Sequence, residues 1–239
     1  MTDKTDNSPL PQAPDVLLIL GTDASGKNHV TNFIADLMEK AGYEVEKREG
    51  WFSKYPSNVI SSEGKGWFDL MKENLFLATF PLTKSLIPVL LFFLLEGDLK
   101  RFRKSHKKII VISHTTLRIL AFWLGHRFER EEDIRLPVFL DRVLKNIIPI
   151  TGTKTIVLDI ADEIRKKRIC KRRESGKADN FDLYMAKDGL RSERIESFLI
   201  WLGETRLNAV IIENNDLDNA ALFRETDRAF RYFTDEKTS

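Results

Sequence analysis

Val16-Leu17-Leu18-Ile19-Leu20 running into Gly21-Thr22-Asp23-Ala24-Ser25-Gly26-Lys27 is the stretch on which the reading of this chain turns. Beyond it, Val30, Phe33, Ile34, Leu37, Met38 and Ala41 recur at helical spacing. The pattern predicts a buried strand, a G-x-x-x-x-G-K loop and an amphipathic helix. In such a loop the glycines let the backbone close around phosphate oxygens, the amides point inward, and the lysine reaches the terminal phosphates. The helix that follows presents its positive end to the same anion. Gly21 and Gly26 could also be plain turn glycines, but a strand before them and a helix after them supply the context that phosphate binding requires. Gly21, Thr22, Asp23, Ala24, Ser25, Gly26, Lys27, Asn28 and His29 are therefore the candidate nucleotide-binding residues. One position departs from the usual pattern. The residue after the lysine, ordinarily a Ser or Thr whose hydroxyl holds Mg²⁺, is Asn28.

At 239 residues the chain is long enough for one α/β domain with a sizeable core. Charged residues at 31% and apolar residues at 42% are ordinary for a globular protein, and a net charge of +2 points to no particular partner. The one cysteine, Cys170, excludes an intrachain disulfide. No Cys/His spacing suggests zinc, so a reducing, cytoplasmic setting is the expectation. Residues 1–14 are polar and proline-rich without the apolar core of a secretory signal, and read as a disordered lead-in to a single domain over 15–239.

Tyr43 to Arg48 alternates as a short edge strand should, after Gly42 as a helix stop. Residues 49–66 lose periodicity and read as a loop in which Trp51, Phe52 and Tyr55 either stack on a base or pin the loop to the body. From Leu75 to Leu95 the chain is largely apolar, but its longest unbroken run, Leu86 to Leu95, is ten residues, against roughly 20 for a bilayer span. A core or homodimer-interface helix in the 67–104 region, kinked near Pro81 or Pro88, is the expectation. Lys100, Arg101, Arg103, Lys104, Lys107 and Lys108 follow, and an apolar face beside a cationic one also suits an anionic membrane surface.

Further strands are predicted at Lys108–Ser113, Thr155–Asp159 and Asn208–Glu213, with helices over Leu117–Gly125, within 131–148, from Ala161, around Ile195–Leu202, and from about Asp216 to Phe233. Five strands alternating with helices imply a doubly wound parallel sheet with helices on both faces and the phosphate loop after its first strand.

With these elements in place, the chain resembles the thymidylate kinase-like group of phosphate-loop nucleotide kinases over roughly residues 15–215. Gly21 to Lys27 is similar to that group's G-x-[DE]-G-x-G-K loop, and Arg48-Glu49-Gly50 falls where the group has Arg-Glu-Pro. Asp162 to Arg173, followed by Ala178-Asp179-Asn180-Phe181-Asp182, resembles its arginine-bearing lid, about residues 165–182. The resemblance implies ATP as phosphoryl donor with Mg²⁺, and a nucleoside monophosphate or related small phosphate as acceptor. It further implies Lys27 on the donor phosphates, Asp23 and Arg48 on the acceptor, and Arg168, Arg172 and Arg173 on the group in flight.

The charge argument for the lid stands apart from the likeness, because crowded cations repel one another unless an anion is at hand. A solvated basic helix face is the plainer reading of the same residues. A nucleic acid is the weaker choice of anion, since no recognition helix or aromatic-basic interleaving is present. The chain also departs from the group. Where the third strand should end in Asp-Arg-Tyr it has Ser113-His114-Thr115. Asn28 could offer only a neutral carbonyl to the metal. His29 and His114 either contact phosphate, His114 on the acceptor side, or are structural. A nucleotide-binding protein with weak or no transfer activity, regulatory or membrane-associated, is the alternative to a kinase.

Overall fold

An uninterrupted run of β-branched and leucine side chains bounded by polar turns has two faces to bury, and only the centre of a sheet covered on both sides buries both. Strand β1, Val16–Gly21, takes that place, every residue of it buried. The computed structural model describes residues 15–48, 86–101, 108–113, 115–176, 178, 180–215 and 218–235. Within these, β2 (Val45–Arg48), β3 (Ile109–Ile112), β4 (Lys154–Asp159) and β5 (Val210–Glu213) join β1 in one sheet of order β2-β3-β1-β4-β5. Every pairing is parallel. The edge position expected for the Tyr43–Arg48 stretch is the one β2 occupies.

Alternate residues of β1 feed two cores. Val16, Leu18 and Leu20 face α2 (Ile87–Arg101), α3 (Thr116–Arg127), α4 (Val138–Thr151) and α7 (Gly189–Leu207). Leu17 and Ile19 face α1 (Lys27–Lys40) and α8 (Asn219–Asp235). Between these lie α5 (Asp162–Glu174) and the short α6 (Asn180–Ala186). Ile195, Phe198, Leu199 and Leu202 form the buried stripe expected of α7. In α1 the stripe is narrower than the periodicity implied, since Val30, Ile34 and Met38 are buried whereas Ala41 is the exposed C-cap.

The expected kink is absent at Pro88. It stands second in α2, in the first turn, where a missing N–H removes no helical hydrogen bond. Pro137 likewise precedes the first residue of α4. Pro81, the loop aromatics Trp51, Phe52 and Tyr55, and His114, Arg103, Lys104 and Lys107 lie outside the described residues. Leu86, Val89, Leu90 and Phe93 along α2, with Val138 and Phe139 at the start of α4, leave an apolar face exposed. Among the described residues no helix is long and apolar enough to cross a membrane.

Because β1 sends its continuation one way and its neighbours β3 and β4 flank it on opposite sides, the strand order reverses at β1. The crevice beyond its carboxyl end is where such sheets bind ligands. The Gly21–Lys27 loop stands in that crevice.

Candidate functional site

The loop closes tightly enough to exclude side chains at its glycines. A Cβ on Gly21 would lie 2.5 Å from Ser25 Oγ and 3.2 Å from the Leu158 carbonyl oxygen. Gly26 adopts φ 97° as the N-cap of α1, a conformation open to glycine and strained for other residues. Ala24 sits at φ 61°, so the one residue without glycine's freedom at the loop apex is held in the left-handed region. Ser25 Oγ is buried and has no hydrogen-bond partner among the described residues. An orphan hydroxyl inside a loop that a single Cβ would obstruct fits a site for phosphate oxygens.

Lys27 is buried at the start of α1, and its Nζ donates to the Thr22 carbonyl. Burial, reinforced by the Arg118 guanidinium and offset by the Asp23 and Glu196 carboxylates, lowers its pKa from 10.5 to about 7. An ammonium so destabilised gains from any anion that reaches it.

Three cationic side chains from other elements converge here. Arg118 in the first turn of α3 donates from Nη2 to Asp23 Oδ1 at 2.7 Å. It reaches the loop because α3 begins at once after β3, its start fixed by Asp98 Oδ2, which accepts from the Thr116 amide at 2.7 Å, and by the Thr115 side-chain cap. Arg168 of α5 donates from Nη1 to the Ala24 carbonyl at 3.1 Å and from Nη2 to the Asn214 carbonyl at 3.2 Å. Asn214, at the end of β5, in turn donates from Nδ2 to the Ser25 carbonyl at 2.7 Å. Arg172, one turn further along α5, donates to the fully buried Asp182 Oδ1 at 3.0 Å, and its charge is near enough to lower the Lys27 pKa.

Beneath the loop lies an ionic network. Glu196 of α7 accepts at Oε1 from Thr22 Oγ1 and from the Ile160 amide, each at 3.1 Å, and at Oε2 from Arg165 Nη1. Arg165, buried despite its place in the basic stretch, also donates to Asp162. Burial pushes the Glu196 carboxyl up, to about 7, against the pull of Arg165.

The structure thus brings Gly21–Lys27, Arg168 and Arg172 of the expected site together. Asn28 and His29 point to solvent from the first turn of α1. Arg173 is exposed at the end of α5. Arg48 is at the carboxyl end of β2, its Nε donating to Glu46 Oε1 of the same strand at 2.7 Å. His114 lies outside the described residues.

Sequence reasoning missed Arg118 and Glu196. The first carried a usable signal, a basic residue just beyond the third strand. The second is a carboxylate set between the apolar positions Ile195 and Leu199, and its partners are 174 and 31 residues away.

Among the described residues no cluster of His, Cys, Asp or Glu is suited to hold a metal ion. With Asn28 in place of the hydroxyl and Asp23 paired to Arg118, these donors do not form a protein-held Mg²⁺ site. The charged groups that do gather at the loop are Lys27, Arg118, Arg168 and Arg172.

No family model and no curated protein matches the chain. Solved structures do. Deoxyadenosine kinase from M. mycoides with bound dCTP superposes with a TM-score of 0.51 at 14% identity, covering 91% of this chain and 99% of that one. The fold is that of a P-loop kinase. The same enzyme with bound dATP gives a TM-score of 0.44 at 13% identity over 94% and 100% of the two chains. YorR from Bacillus subtilis, in complex with phosphorylated GDP, gives 0.44 at 13% over 89% and 94%.

Proposed function

We propose that the protein transfers the γ-phosphoryl group of ATP to a nucleoside-type acceptor, a nucleoside or its monophosphate. The observation that carries this reading is the hydrogen bond from Arg168 to the Ala24 carbonyl. It sets a cation of the helix after β4 on the phosphate loop itself, beside the buried Lys27. A merely solvated basic face would leave that arginine in water.

Phosphoryl transfer needs placement and charge more than covalent help from the protein. The loop amides and Lys27 would hold the donor phosphates, with Lys27 exchanging the Thr22 carbonyl for phosphate oxygen. An acceptor oxygen would attack the γ-phosphorus as the bond to the bridging oxygen breaks and ADP leaves. A phosphate acceptor attacks as its anion, and a hydroxyl acceptor gives up its proton to water. Arg168 and Arg172 would meet the charge spread over the group in flight. Arg118 and Asp23, at the loop mouth, would orient the acceptor. Mg²⁺ arriving with ATP would supply further positive charge, with the binding and orienting left to Lys27 and the arginines.

Support for a nucleoside-type acceptor comes from the fold shared with deoxyadenosine kinase and from the thymidylate kinase-like loop and lid. A Mg²⁺-dependent assay of ATP against deoxynucleosides and nucleoside monophosphates, thymidylate included, tests it. Transfer to at least one acceptor, abolished in Lys27→Ala, is the expected result. Binding of ATP without transfer to any acceptor would instead favour a nucleotide-binding protein, the reading that the exposed Asn28 supports. In that assay Asn28→Thr, which restores the metal-side hydroxyl, is expected to raise the rate.

A further inference from the structure

We propose that Glu196 is a positioning residue of the phosphate site, joining the phosphate loop through Thr22 and the arginine-bearing helix α5 through Arg165 into one rigid unit. This deepens the phosphoryl-transfer reading and rests on it for the kinetic part of the test.

The geometry is specific. One carboxylate oxygen, Oε1, is shared between the Thr22 hydroxyl and the Ile160 amide, each 3.1 Å away. The other receives Arg165, whose second guanidinium nitrogen goes to Asp162. Three donors, from Thr22, Ile160 and Arg165, hold the carboxylate on both oxygens against the repulsion of the nearby Asp159 carboxylate. Thr22 is buried, and its carbonyl is the group to which Lys27 Nζ donates. Fixing the Thr22 side chain therefore fixes the peptide from which Lys27 must swing to phosphate.

On the other side, Arg165 and Arg168 are three residues apart on α5 and lie on neighbouring turns of one face. Anchoring Arg165 at Glu196 sets the axial position of α5, and with it the reach of Arg168 to Ala24. Glu196 and Arg165 are both buried, at 6% and 1% exposure. Their influence must pass through Thr22 and Arg168.

The two arms of the carboxylate predict different kinetic signatures. Thr22→Val removes the hydroxyl but keeps the shape, and should weaken MgATP binding about tenfold, the equivalent of roughly 1.4 kcal/mol for one buried hydrogen bond, with little change in kcat. Thr22→Ser, which keeps the hydroxyl, should restore wild-type affinity. Glu196→Gln disturbs both arms and should lower kcat as well as affinity. The double variant should bind MgATP no more weakly than Glu196→Gln alone, because the Thr22 contact is already lost.

Amide hydrogen exchange over residues 22–27 in nucleotide-free protein gives a readout independent of activity and of nucleotide binding. Faster exchange is expected in Thr22→Val and Glu196→Gln than in wild type, with Thr22→Ser unchanged. Wild-type exchange and affinity in folded Thr22→Val, or strictly additive effects in the double variant, would overturn the proposal. Wild-type protein that binds no ATP or transfers nothing would overturn the kinase reading alone, the exchange arm still deciding the role of Glu196. If Glu196→Gln does not fold, Thr22→Val and Thr22→Ser decide the loop arm by themselves.

Discussion

Arg118 Nη2 and Asp23 Oδ1 meet at 2.7 Å across 95 residues of sequence, joining the first turn of α3 to the mouth of the phosphate loop. The pair is largely sheltered, with side-chain exposures of 21% and 17%. Burial of this degree makes each charge depend on the other. The chain has Ser113-His114-Thr115 where the resemblance leads one to expect Asp-Arg-Tyr, and Arg118 follows three residues later.

If Arg118 takes over the acceptor-side role of that missing arginine, Arg118→Met should lower transfer about a hundredfold, comparable to the loss of one preorganised charge-stabilising donor. Arg118→Lys should recover only part, because an ammonium cannot reproduce the guanidinium fork. Steady-state transfer with acceptor varied at saturating ATP is the measurement. Full activity in Arg118→Met would remove the residue from the site.

With the Lys27 pKa lowered to about 7, binding of a nucleotide at the loop is expected to be proton-linked. At pH 8 the free lysine is mostly neutral, whereas a triphosphate should restore its charge, so binding is expected to take up about 0.9 proton per site. Calorimetry in buffers of different ionisation enthalpy measures the uptake, and Lys27→Arg, always charged, should abolish it. The sign for stability follows from the same shift. The unfolded chain binds more protons than the folded one between about 7 and 10.5, so Lys27 makes the nucleotide-free protein more stable as pH rises through that window. Below it the buried ammonium is a full liability. Thermal melts of wild type and Lys27→Met should therefore differ most below pH 7 and converge toward pH 10.

Gly125 offers a test of the scaffold away from the chemistry. A Cβ there would stand 2.5 Å from Ile195 Cγ1 and 3.2 Å from the Ile195 amide nitrogen, so α3 and α7 approach on glycine. Gly125→Ala should cost about 1–3 kcal/mol and lower Tm by about 5 °C. Gly97, inside α2 with no atom of the described residues within 4 Å of such a Cβ, should respond oppositely. Gly97→Ala is expected to stabilise by about 1 kcal/mol through helix propensity. Calorimetric melts of the two variants check both signs.

The strand-loop-helix unit at 16–40, the five strands and the buried stripe of α7 are legible in the sequence, because each is marked by a pattern of residues near in sequence, and the alternation of strands with helices implies their parallel pairing. Apolar runs must be covered, helical periodicity must face a core, and a G-x-x-x-x-G-K spacing between strand and helix makes a tight turn with inward amides. The arginine-bearing stretch was legible as charge, and the structure divides it by role. Arg165 is a buried strut, Arg168 touches the loop, Arg172 is held by Asp182, and Arg173 is in solvent. No spacing within α5 makes that division, since it depends on what β5, α6 and α7 place opposite each turn. The pairing of Asp23 with Arg118 and the convergence of Thr22, Ile160 and Arg165 on Glu196 are likewise decided only in three dimensions. They join residues from 31 to 174 positions apart, and a partner at that distance is chosen by how the helices pack on the sheet.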